Sequence, residues 1–182
     1  MNRLSLAVVL AVAGGMGSFE GRAGELSAPM PIHECSGISG NYEVTGKQLA
    51  GPDIGSKLGP SLPLHVFRGY RVHKPGARAQ SVKLFVHDGE HLSVAILDGN
   101  NSPIAEDEVL GKCESGEFIF SKTATGGSEG YSGTTSWGVR LAAKSDSSLL
   151  ANVETKSDGK DFFLFPHSAS ATHTFSFRRV VQ

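Results

Sequence analysis

The chain is poor in the residues that usually announce a function. It has two cysteines, one tryptophan and three tyrosines in 182 residues, and only 19% of its residues are charged. Cys35 and Cys113 stand too far apart for a CxxC redox pair, and a zinc site would need histidines gathered from scattered positions. Arg178-Arg179 is the only basic doublet in a chain with 17 basic and 18 acidic residues, so nucleic acid is excluded as a partner. A membrane span needs about 20 apolar residues, and the longest apolar run, residues 4–16, is shorter. No Asp-x-Asp-x-Asp-Gly calcium loop is present, and no long segment shows the 3.6-residue period of an amphipathic helix.

What is present begins with an address. Met1-Asn2-Arg3, the apolar run 4–16 and Gly21-Arg22-Ala23 follow the pattern of a cleaved export signal over residues 1–23. Cys35 follows His33-Glu34 rather than a small apolar box, so a lipoprotein anchor is not expected. The expectation is an exported protein, periplasmic or extracellular, with no stable membrane anchor. With Arg3, Arg22 and Glu20 removed, the remainder carries 15 basic and 17 acidic residues. Residues 24–37 read as an N-terminal arm and residues 38–182 as one domain. In an oxidising compartment Cys35 and Cys113 are expected to form a disulfide. It would close a loop of about 79 residues, worth about 4–5 kcal/mol of loop-closure entropy.

Apolar residues alternate with polar ones in short runs split by Gly, Asp, Asn and Ser, the pattern of antiparallel strands. Residues 81–97 form the clearest hairpin, pairing 86 with 92, 84 with 94 and 82 with 96 around the turn Asp88-Gly89-Glu90. Residues 38–46 and 64–72 read as strands, with 47–63 a long loop between them. Residues 131–143 alternate longest, with Trp137, Val139 and Leu141 on one face. Asp158-Gly159 reads as a two-residue turn that pairs Thr155 with Phe162 and Val153 with Leu164. Residues 172–181 form the last strand, with Phe175 and Phe177 inward. The fold expected is all-β, a single antiparallel meander closing into a β-barrel of about 8–10 strands.

Gly40-Asn41-Tyr42 on the first strand and Arg178-Arg179 on the last resemble the calycin pattern. There, lipocalins carry Gly-x-Trp on the first strand and a final-strand arginine that packs across it; here tyrosine stands in the tryptophan position. The resemblance implies that Tyr42 points inward, that Arg179 reaches the same end, and that the barrel belongs with small-molecule carriers and small secreted protease inhibitors.

The expected activity is noncatalytic: a barrel holding a small apolar ligand against Tyr42, Trp137, Phe175 and Arg179. The alternative is a protein-interaction module of the cell envelope, such as a secreted enzyme inhibitor of an envelope or host protein. Its contacts would come from loop 47–63, the arm, or a patch of Phe163 and Phe165 on the non-core face. No catalytic residue, cofactor or metal is expected. Gly126-Gly127-Ser128-Glu129-Gly130 matches Gly-x-Ser-x-Gly, but a strand follows it where a hydrolase elbow needs a helix. His87 and His91 face each other across the hairpin tip with Asp88 and Glu90 between them, a solvated tip that zinc or copper could also use. Glu106-Asp107-Glu108 reads as a charged edge, and Asn100-Asn101-Ser102 as a sequon in an exposed turn.

Overall fold

Alternation with a period of two puts every second side chain on one face, and that face is where the strands meet. In β3 (Ser81–Val86) Val82, Leu84 and Val86 are buried while Lys83 and Phe85 are exposed. β4 (His91–Leu97) answers with Leu92, Val94 and Ile96, in the register 86:92, 84:94, 82:96. The computed structural model describes residues 35–57, 59–68, 78–128, 131–161 and 165–181, all within the compact unit Pro31–Gln182.

The strands are antiparallel and make two sheets. The four-stranded sheet runs in the order β1 (Gly40–Glu43), β3, β4, β5 (Pro103–Leu110). The six-stranded sheet runs β2 (Lys47–Ala50), β10 (Phe165–Phe177), β9 (Leu149–Asp161), β8 (Tyr131–Ala143), β7 (Glu117–Ser128), β6 (Lys112–Glu114). The chain is mostly antiparallel β, as expected, but its order is not a single meander, since β1 pairs with β3 and β2 with β10. The strand ladders themselves form two sheets, where one continuous barrel was expected.

One dry interior serves both. Val82, Leu84 and Leu92 from the four-stranded sheet share a single core cluster with Phe118, Val139 and Phe175 from the six-stranded sheet. The Cys35–Cys113 disulfide is formed, tying the segment before a 3-10 turn (Ser36–Ile38) to β6. Such a bond fits an oxidising compartment. Among the described residues no helix is long and apolar enough to cross a membrane.

The chain passes between the sheets three times, and the two short crossings, β1 to β2 and β5 to β6, each use a glycine. Gly46 lies between β1 and β2, and Gly111 lies between β5 and β6. A Cβ on Gly111 would sit 2.5 Å from the Ile119 carbonyl oxygen and 2.7 Å from the Phe118 ring. A Cβ on Gly46 would strike the Ser176 carbonyl oxygen and come within 2.6 Å of the Phe177 ring. The bends exist because backbone can press onto backbone there. Gly111→Ala is expected to cost about 1–3 kcal/mol in urea unfolding, as overpacking does. Gly138→Ala, where a Cβ meets nothing within 4 Å, is expected to stay within about 0.5 kcal/mol of the parent.

Three readings of the chain are corrected. Of the strand expected over 64–72, residues 64–67 instead belong to a π-helical turn (Leu62–Phe67), and residues 69–72 lie outside the described residues. Val66 and Phe67 are neighbours and both buried, which one face of a strand cannot achieve. Pro63 suits the first turn, where a missing N–H costs nothing, and Ser61 Oγ accepts from the Leu64 N–H. The loop expected over 47–63 instead begins as β2. Asp158-Gly159 does not turn; β9 runs straight through it, and Thr155 and Val153 pair with Ala171 and His173. A thirteen-residue β8 lies alongside as template, and turning at Asp158 would leave its first residues without ladder partners. Phe162 and Leu164 lie outside the described residues.

Candidate binding site

The long strands β7 to β10 carry the site because their inner face changes character along its length. Neighbours in register form rows across the sheet. Phe118, Leu141, Ala151 and Phe175 make one buried row, and Phe120, Val139, Val153 and His173 make the next. Then the apolar supply ends: the following row is Lys122, Trp137, Thr155 and Ala171. Beyond it come Ala124, Thr135, Ser157 and Ala169, and after those Gly126, Gly133, Gly159 and His167. The core thus gives way to a shelf of small and polar residues, with Trp137 at the border.

Trp137 is only 8% exposed, yet its indole Nε1 is buried with no hydrogen-bond partner among the described residues. Its cross-strand neighbour Thr155 has a hydroxyl in the same condition. A buried donor left unpaired costs about 1–3 kcal/mol, so two side by side are unusual. The Arg68 guanidinium lies over the indole, 5.4 Å from its centroid. Arg68 itself ends the π-helical turn at φ 39°, a left-handed conformation that a non-glycine residue adopts only under constraint. Lys122 donates from Nζ to the Phe67 carbonyl at 3.3 Å and lies 3.5 Å from Asp107. Phe67 stacks on Phe120 with centroids 5.8 Å apart, so the helical turn closes the core just beneath this border.

Of the other residues expected to line a ligand cavity, Tyr42 and Phe175 share the buried core cluster with Trp137. Tyr42 is fully buried, and its hydroxyl donates to the Ile38 carbonyl at 2.7 Å. Burial pushes the Tyr42 phenol above its ordinary pKa, against a smaller opposing pull from Arg179. The Arg179 guanidinium lies 5.9 Å from the Tyr42 ring centroid and donates to the Ser39 carbonyl. Phe175 is packed between His173, with centroids 5.7 Å apart, and Phe177 at 6.4 Å. Tyr42 and Phe175 are buried, and Arg179 lies half-buried against the Tyr42 ring. Phe163 lies outside the described residues, and of Phe165 only its backbone pairing to Asp161 is described. Trp137 was legible in the sequence; Arg68 and Thr155 were not, since nothing local marks either as facing it.

The hairpin tip is built otherwise than as a metal site. His87 bonds across to Ser93, Nε2 to Oγ 2.5 Å, while His91 Nδ1 lies 2.9 Å from both carboxylate oxygens of Asp88. The two rings therefore turn to separate partners. Among the described residues no group of three His, Cys, Asp or Glu side chains comes together to hold a metal ion. The Ser93–His87 contact pairs a hydroxyl with a base, but no acid among the described residues orients the imidazole, as an activated nucleophile would need. Gly126 to Ser128 continue β7, with Glu129 and Gly130 outside the described residues.

The Asp88 carboxyl is lowered to about 2, chiefly by its bond to His91 and then by the Glu90 N–H. The same bond raises His91 above the usual histidine value. The His91 contribution to folding is complete below the unfolded histidine pKa and fades as pH rises through the raised value. That of Asp88 is present above the unfolded carboxyl pKa and is lost as pH falls through about 2. The pair therefore steadies the tip most between those two unfolded values. In an NMR titration His91 is expected to titrate above the usual histidine value, and Asp88→Asn to bring it back towards that value.

No family model, curated protein or solved structure matches the chain.

Proposed function

We propose that this is an exported, noncatalytic binding protein, with its ligand seat on the inner face of β7–β10 beyond Trp137. The reading treats the two sheets as one closed, calycin-like barrel wall. In its support, Tyr42 and Arg179 bridge β1 to the chain after β10, with Glu43 N–H donating to the Arg178 carbonyl and Val180 N–H to that of Asn41. On the other side, only Gly111 separates the end of β5 in one sheet from the start of β6 in the other. Gly40 suits the calycin pattern because a Cβ there would meet the Arg179 guanidinium at 2.5 Å. The reading places the ligand at the barrel mouth rather than inside, since Tyr42, Phe175 and Phe177 are buried among their neighbours.

The observation that carries the reading is the pair of unpaired, buried polar atoms, Trp137 Nε1 and Thr155 Oγ1, at the border of core and shelf. A ligand supplying an acceptor there would recover what the fold leaves unsatisfied. Trp137→Phe keeps the ring and removes the N–H. Native mass spectrometry of the exported protein from its own host is expected to show a retained small molecule that the variant loses. Retention of the same molecule by Trp137→Phe, or its absence from the parent, would overturn the reading.

A second reading, an interaction module such as an enzyme inhibitor, draws on the outer face. Leu110 is 70% exposed beside a groove of about 530 Å³ over Gly138 and Arg140. Capture of one exported enzyme from the host by the parent, and its loss in Leu110→Ser, would favour it.

A further inference from the structure

We propose that the seat takes a flat, apolar carboxylate, its anionic head between Arg68 and Trp137 Nε1 and its body on the bare glycine row. This rests on the seat proposed above and specifies what occupies it.

The head follows from charge and donors. Arg68, Trp137 and Thr155 together offer a guanidinium, an indole N–H and a hydroxyl. Among the described residues the indole and hydroxyl have no hydrogen-bond partner, and the guanidinium's recorded contact is the indole ring. Asp107 of β5 is engaged with Lys122. Glu154 and Asp158 of β9 lie on the opposite face by parity, since Thr155 and Ser157 occupy this one. The positive charge of Arg68 is therefore uncompensated beside buried donors, and a carboxylate accepts from a guanidinium and an N–H at once.

The body follows from what the shelf lacks. Gly126, Gly133 and Gly159 are register neighbours on three adjacent strands, so the row presents backbone without side chains across β7, β8 and β9 and ends at His167 on β10. A Cβ on Gly126 would meet nothing within 4 Å. The row between holds Thr135 and Ser157, whose hydroxyls bond to each other at 2.9 Å and ask nothing of a ligand. Ala124 and Ala169 flank them. The four residues from Trp137 to Gly133 span about 13 Å of strand, which is the reach of two fused or linked aromatic rings bearing a carboxylate. A flat ring can lie against bare backbone; a branched or bulky one gains nothing from it.

The test uses biphenyl-4-carboxylate and its neutral isostere biphenyl-4-carboxamide with the full chain. Trp137 is the only tryptophan, so its indole N–H gives a single cross-peak that reports on the seat. The carboxylate is expected to bind at least tenfold tighter than the amide and to shift that peak. Arg68→Gln should weaken the carboxylate about tenfold and leave the amide unchanged, while Arg140→Gln, on the outer face, changes neither. Should Arg68→Gln fold poorly, added salt must weaken the carboxylate alone on the parent protein. Equal affinities for acid and amide, with the indole peak moving for both, would overturn the anionic head and leave the seat standing. An unmoved indole peak with both compounds would overturn the seat as well.

Discussion

Replacing Cys35 and Cys113 together with serine lowers the unfolding free energy by about 4–5 kcal/mol. The bond spans a sequence separation of 78 residues that includes the four-stranded sheet and the π-helical turn. Without it the unfolded chain regains the freedom of that long loop, while the folded state loses a buried link between the segment before Ser36 and β6. Urea unfolding of the oxidised protein, the reduced protein and the double variant measures the effect. The reduced protein and the double variant should agree closely. A loss under about 1 kcal/mol would mean that the unfolded chain is already confined without the bond.

Phe175→Ala lowers stability by about 3–5 kcal/mol, the range for deleting a buried aromatic side chain. Phe175 is 1% exposed and touches His65, His173 and Phe177, with ring centroids 5.7 to 6.4 Å away. The sequence reading assigned it to a ligand cavity, where truncation would chiefly enlarge the space. The structure makes it packing. Equilibrium unfolding separates the two: a loss below about 1 kcal/mol would point to an open interior around Phe175 and against the filled one.

Much of the fold was legible because one rule governs it. The hairpin 81–97 came out residue for residue, since turn chemistry and alternation both select the same register. The inward set Trp137, Val139 and Leu141 followed from alternation alone. Failures arose where a local signal competed with a neighbour that the sequence does not display. Asp158-Gly159 is a strong turn pair, but the ladder of β8 alongside outweighs it. Residues 64–67 alternate like a strand, yet the interior needs Val66 and Phe67 together, and only a helical turn delivers both. The site was half legible. Trp137 could be placed on an inner face, while its relation to Arg68 depends on how the π-helical turn ends, and its relation to Thr155 depends on the true register of β9.

The most direct test is a map of amide and indole shifts across the full, isotopically labelled chain titrated with biphenyl-4-carboxylate. A seat on the inner face of β7–β10 beyond Trp137 predicts the largest shifts at Trp137 Nε1, Thr155, Gly133 and Gly159, with Tyr42 and Phe177 unmoved. Largest shifts at Tyr42, Phe175 and Phe177, with Trp137 unmoved, would put the ligand among the shared core residues and contradict the proposed seat.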